Sequence, residues 1–217
     1  MAGTPVVSGF CHSVYTRSVR IALTEKAVAY RYDEVNPFDP DQADRCRELH
    51  PFLRVPVLHH RGARLYETVA ILSYVDDAFE GPALMPEGAL ARARARQVMS
   101  ITDAYVYPSL VRQVFSHGCY LALAGQHSDP ATLQHGLDAA PTILDALEEI
   151  AVEGMVLRPD QAGLAEGHLF AQLDYFAMVA EGREMLKRRP RLNAWFQAMA
   201  KRQAMVETRP DLTKGFD

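Results

Sequence analysis

The chain has 217 residues, 48% of them hydrophobic and 23% charged, with a formal net charge of −4. That length supports one large domain or two modest ones, and the composition is that of a folded globular chain rather than a disordered one. The acidic balance leaves no basic footprint for nucleic acid, and no leader or long apolar run points to a membrane, so a soluble, cytoplasmic protein is expected.

Residues 4–10 (TPVVSGF) read as a short apolar strand. A turn at 11–13 then leads into a helix with Tyr15, Val19, Ala22 and Leu23 on one face. Residues 30–35 (YRYDEV) alternate like a second strand, and the turn formers N-P-F-D-P-D at 36–41 introduce a short helix through Cys46 and Leu49. VPVL at 55–58 and RLY at 64–66 flank an Arg61-Gly62 turn as a hairpin. Ile71, Tyr74, Val75 and Ala78 mark a helix over 68–79, with Thr68 as its N-cap. The element order is β-α-β-α-β-β-α.

The stretch EGPALMPEG at 80–88 breaks this pattern and reads as a linker, after which strand signals stop. The A-R-A-R-A-R run at 91–96 is strongly helix-forming, and Val98, Ile101, Thr102 and Tyr105 continue its stripe until Pro108 bends or ends it. Ile143, Leu147 and Ile150 mark another helix. Leu192, Trp195, Phe196 and Met199 mark a last one, opening at Pro190 in the first turn. Residues 163–178 are apolar on nearly every side and belong in a core. The fold class is therefore an α/β domain over 1–80 followed by an all-α helix bundle over 89–217.

Cys11, Cys46 and Cys119 are an odd number without C-x-x-C spacing, which supports neither a disulfide framework nor a zinc site. The histidines, including the adjacent His59 and His60, show no metal-ligand spacing, so no metal is expected.

Three motifs carry a family resemblance. S-V-Y-T-R-S-V-R-I-A-L-T-E-K at 13–26 resembles the first helix of cytosolic glutathione S-transferases. V-P-V-L at 55–58 resembles their cis-proline loop, and L-Y-E-T-V-A-I-L-S-Y at 65–74 their glutamate-serine/threonine helix start. G-L-A-E at 163–166 stands where the family opens a buried helix with Ser/Thr-x-x-Asp. Glycine can still N-cap there, and Glu166 can reach back as in a capping box. P-R-L-N-A-W-F-Q-A-M at 190–199 resembles the last core helix. The resemblance implies a thioredoxin-like, glutathione-binding domain at 1–80, an all-helical domain carrying an electrophile site, and a homodimer.

By this resemblance Ser13 is the hydroxyl of serine-type members that donates to the glutathione thiolate; as a residue alone, Ser13 is equally a helix N-cap. Bringing a thiol from about 8.5 to roughly 6.5 takes about 2.7 kcal/mol, the order that a helix N-terminus and one hydroxyl donor supply. Two rivals exist. Cys11 would form a mixed disulfide but stands two residues too early, and Tyr15 would donate as a phenol but falls on the apolar stripe. His12 reads as a loop histidine at the entrance.

Val55 is expected to pair with the cysteinyl segment beside a cis Pro56. Glu67 and Thr68 receive the γ-glutamyl end, with the helix amides facing its carboxylate. Arg54 meets the glycyl carboxylate or is simply solvated. Tyr105, Tyr107, Phe115 and His117 are the electrophile-site candidates, although an aromatic stripe at helical spacing also suits a core. The implied activity is transfer of the glutathione thiolate to a small apolar electrophile, or its use in isomerisation, dehalogenation or ether cleavage. The alternatives are a binding or regulatory protein of the same fold, and a reductase working through Cys11.

Overall fold

The computed structural model describes residues 3–213. Strand β1 (Val6–Gly9) lies between β2 (Arg31–Glu34), to which it runs parallel, and β3 (Val57–His60), to which it runs antiparallel. β4 (Ala63–Leu65) closes the hairpin with β3, giving the order β2-β1-β3-β4. β1 and β3 are the buried strands of the sheet: Val7 and Leu58 pair across the ladder, and neither is exposed.

Helix α1 (Val14–Glu25) follows β1 directly, because Ser13 caps it by accepting the Thr16 N–H. Asp39 caps a single 3₁₀ turn at Pro40–Gln42 that leads into α2 (Ala43–Leu49). The Val55-Pro56 bond is cis, and α3 (Thr68–Ala78) completes the thioredoxin-like α/β part. Asp76 on α3 accepts from the amides of Leu84 and Met85 and pairs with Lys26 at 3.0 Å, which fastens the expected linker against the end of α1.

The rest is helical. After α4 (Ala89–Ile101) the chain does not stop or bend at Pro108 as expected; from Thr102 to Tyr120 it winds as a π-helix. Amides there reach back five residues, as the Leu121 N–H does to the Ser116 carbonyl, and the Ser116 hydroxyl bonds the Val111 carbonyl at 3.1 Å. Then come α5 (Leu121–Leu123), α6 (Pro130–Glu153), α7 (Leu164–Phe176), α8 (Ala180–Lys187), α9 (Pro190–Met199) and α10 (Gln203–Glu207). Every residue of α7 is buried, as its unbroken apolar pattern requires. Trp195 on α9 is fully buried too, and its indole nitrogen has no protein partner.

Glu166 departs from the expected capping box. Its Oε1 accepts the Leu157 N–H at 3.0 Å, so it ties down the loop before α7, and burial pushes its pKa up. The two parts of the molecule meet on α1, which packs against α3 on one side and against α7 and α10 on the other. At that junction Arg17, 2% exposed, pairs with Asp174 at 2.7 Å and donates to the Met205 carbonyl, with its guanidinium 5.4 Å above the Phe170 ring.

Candidate active site

A cleft of about 1160 Å³ runs between the start of α1, the cis-proline loop and α3 on one side and the π-helical segment on the other. Ser13, Arg54, Val55, Pro56, Glu67 and Thr68 all line it, although the chain separates the first from the last by a hairpin and two helices.

Ser13 is the N-cap of α1. Its Oγ accepts the Thr16 N–H at 3.2 Å, which occupies one lone pair. A hydroxyl has two lone pairs and one proton, so the proton is left to donate into the cleft while the cap is made. Capping therefore leaves donation open.

Its rivals are placed otherwise. Cys11 is not among the residues lining the cleft, and its thiol is pushed up to about 11, by burial first and then by Glu34. Such a thiol holds little thiolate at neutral pH. Tyr15 was expected in the core but stands in the cleft wall, its ring 4.7 Å from that of Tyr107. Burial, reinforced by the nearby Asp103 carboxylate, raises its pKa far above the ordinary phenol value.

No backbone hydrogen bond engages Val55 among the described residues, which leaves a strand-like edge beside Pro56 open to an extended peptide. Glu67 holds φ at 69°, a left-handed conformation that costs a non-glycine residue about 1–3 kcal/mol. Its carboxylate is thereby exposed at the head of α3 while Thr68, next to it, is buried in the first turn. Arg54 is exposed at the rim, and no ion pair among the described residues engages it.

His50 was not anticipated. Its Nδ1 accepts the Phe52 N–H at 3.1 Å, so the proton sits on Nε2, which faces Glu67 Oε1 at 3.9 Å. Burial lowers its pKa below the ordinary value. Sequence offered no cue beyond a histidine before a proline.

On the helical side Tyr107, Phe115 and His117 line the cleft, but Tyr105 does not: it is 59% exposed and points away. The cleft side of the π-helical segment is formed by Asp103, Tyr107, Val111, Phe115 and Tyr120, at steps of four, four, four and five residues. That spacing is wider than the three-to-four of an α-helix, and Tyr105, expected here on a helix running as in the resembled family, falls off the cleft side. His12, in the turn before α1, is a buried part of the wall rather than a solvated residue. It packs 5.0 Å from the Phe10 ring, its Nδ1 is 3.2 Å from the Tyr120 hydroxyl, and its Nε2 is 3.3 Å from the Asp211 carbonyl.

No group of His, Cys, Asp and Glu among the described residues is arranged to hold a metal ion, and no helix among them is long and apolar enough to cross a membrane.

Residues 7–83 match the family model described as the N-terminal domain of glutathione S-transferase. A glutathione S-transferase 3 of Glycine max is 26% identical over 206 residues, covering 93% of this chain and 88% of that one. A stringent starvation protein A homolog of Pasteurella multocida is 34% identical over 99 residues, and the chain spans just under half of it, 46% of each. Among solved structures, a glutathione S-transferase III in its apo form superposes with a TM-score of 0.80 at 22% identity, covering 95% of both chains. At that identity the likeness speaks for the fold.

Proposed function

The chain belongs to the cytosolic glutathione S-transferase superfamily, and from that premise we propose that it is a serine-type glutathione transferase acting on a small apolar electrophile. In this reading glutathione lies along the Val55 edge, with its γ-glutamyl end at Glu67 and Thr68 and its glycyl carboxylate toward Arg54. Its sulfur meets the N-terminus of α1, where Ser13 donates to the thiolate and the first-turn amides add their dipole. The electrophile would sit against Tyr107, Phe115 and His117.

What carries the reading is the Ser13 hydroxyl, which caps α1 through a lone pair and keeps its proton for the cleft. Activity toward a chromogenic aryl halide should fall at least about 10-fold in Ser13→Ala, corresponding to about 1.4 kcal/mol, the hydroxyl's share of the thiolate stabilisation with the α1 dipole left in place. Retention on immobilised glutathione should persist, and Ser13→Thr, which keeps both cap and proton, should recover much of the rate. Full activity in Ser13→Ala would sink the assignment.

We further place the protein in the cytoplasm as a homodimer. Exposed apolar side chains of Phe52, Val69, Leu90 and Tyr105 support a partner surface. A second reading, a binding or regulatory protein without chemistry, is favoured by the Pasteurella multocida relative named for stringent starvation. It expects no turnover in the wild type whether or not glutathione is retained.

A further inference from the structure

The helical half of the cleft is aromatic, with one carboxylate set into its wall. Asp103 lies in the π-helical segment and lines the cleft with its side chain 38% exposed. Its Oδ1 is 2.9 Å from Nε2 of His168, which is fully buried on α7. An ionised carboxylate only accepts hydrogen bonds, so that nitrogen bears the proton between them. Nδ1 of the same ring is 3.0 Å from the Ser18 hydroxyl on α1. Three elements therefore converge on one imidazole, and the imidazole holds Asp103 in place.

The Tyr15 ring lies beside this pair, tilted 4.7 Å from the ring of Tyr107 and 5.8 Å from that of His168 itself. Nothing in the transfer of glutathione to a neutral, wholly apolar electrophile calls for this arrangement. A carboxylate set among aromatic rings is stabilised when a cation meets it, and with its side chain 38% exposed Asp103 can meet one from the cleft. Tyrosine faces attract the same cation through their ring electrons.

We propose that Asp103 is a specificity-determining residue that selects electrophiles bearing a protonated amine, which would sit between its carboxylate and the Tyr15 and Tyr107 rings. The proposal rests on the transferase reading above, and it refines the electrophile from merely apolar to an aromatic or alkyl body with a basic arm. The opposing charges in the cleft are Arg54 on the glutathione side and Arg112 farther along the helical wall, both exposed. If they governed the site, an acidic arm would be preferred instead.

The test uses three S-arylglutathione conjugates made from 4-chloro-3-nitrobenzamides whose amide nitrogen carries a 2-aminoethyl, a propyl or a 2-carboxyethyl arm. Each is titrated calorimetrically at neutral pH into the wild type and into Asp103→Asn. The wild type should bind the amino conjugate about tenfold more tightly than the propyl one and the carboxyl conjugate least well. In Asp103→Asn the amino and propyl conjugates should converge to within about twofold, with the propyl affinity unchanged. Equal amino and propyl affinities in the wild type, a preferred carboxyl arm, or an amine preference that survives in Asp103→Asn each overturn the proposal. Should the variant not fold, the wild-type ranking decides alone. If no conjugate binds the wild type, the glutathione reading falls and this one with it, whereas binding without amine preference removes this one only.

Discussion

A hydroxyl that caps a helix through a lone pair can still give its proton away, and in the proposed reading Ser13 does both. Around it, single side chains are held by partners far off in the chain. His50 is one: burial puts its pKa below the ordinary 6.5, so below that pH the unfolded chain binds more protons than the folded one. Its stabilising contribution is therefore complete above about pH 6.5 and is lost as the pH falls toward the lower, folded-state value. His59, also lowered by burial, adds to the same slope. Urea unfolding of His50→Gln across this range should show a shallower acid-side loss than the wild type; an unchanged slope would mean that His50 does not titrate with folding. Ser13, Val55, Pro56, Glu67 and Thr68 were legible because each lies in a short motif whose geometry is local. Asp103 with His168, and Arg17 with Asp174, were not, since 65 and 157 residues separate the partners and no local pattern links them.

Among the elements, the π-helical segment shapes the site most. The strands, α1, α3 and α9 followed from local side-chain pattern to within two residues, but the cap position of α3 is Glu67 rather than the expected Thr68, which is its first helical residue. The change of winding at Thr102 did not, since residues there carry the same apolar stripe that an α-helix would show. α6 packs on this segment closely at Gly136. A Cβ there would stand 2.8 Å from the Ser109 carbonyl oxygen and 2.9 Å from Val114 Cγ2, and the backbone oxygen has little room to yield. Gly136→Ala should therefore destabilise the protein by about 1–3 kcal/mol in chemical denaturation. It should also disturb electrophile affinity more than glutathione affinity, because the displaced wall is the helical one. Neutral behaviour in both measurements would contradict so close a contact.

In the molecule as a whole, α1 belongs to both halves. One face covers the sheet side with α3, and the other meets α7 and α10 through Arg17 and Asp174, with Glu25 and Arg202 in a bidentate pair at its far end. Removing one partner of a buried ion pair leaves the other charge unpaired, so Asp174→Asn should cost about 3–5 kcal/mol. Because the pair joins the halves, circular dichroism should show one transition moving as a unit; two separated transitions would show that the halves are energetically independent. The linker expected at 80–88 from its glycines and prolines carries no helix or strand, a break that local composition makes legible. This mutual dependence was not legible, because it rests on α1 facing two ways.

The chain contains one tryptophan, Trp195, sealed inside the bundle on α9, whereas tyrosines crowd the cleft. Its emission should consequently be blue-shifted and shielded from aqueous quenchers, and indifferent to whatever occupies the cleft. Selective excitation of that indole would follow loss of the bundle interior even at saturating concentrations of an absorbing or coloured conjugate, provided the optical path is corrected. Occupancy itself would have to be read from another chromophore.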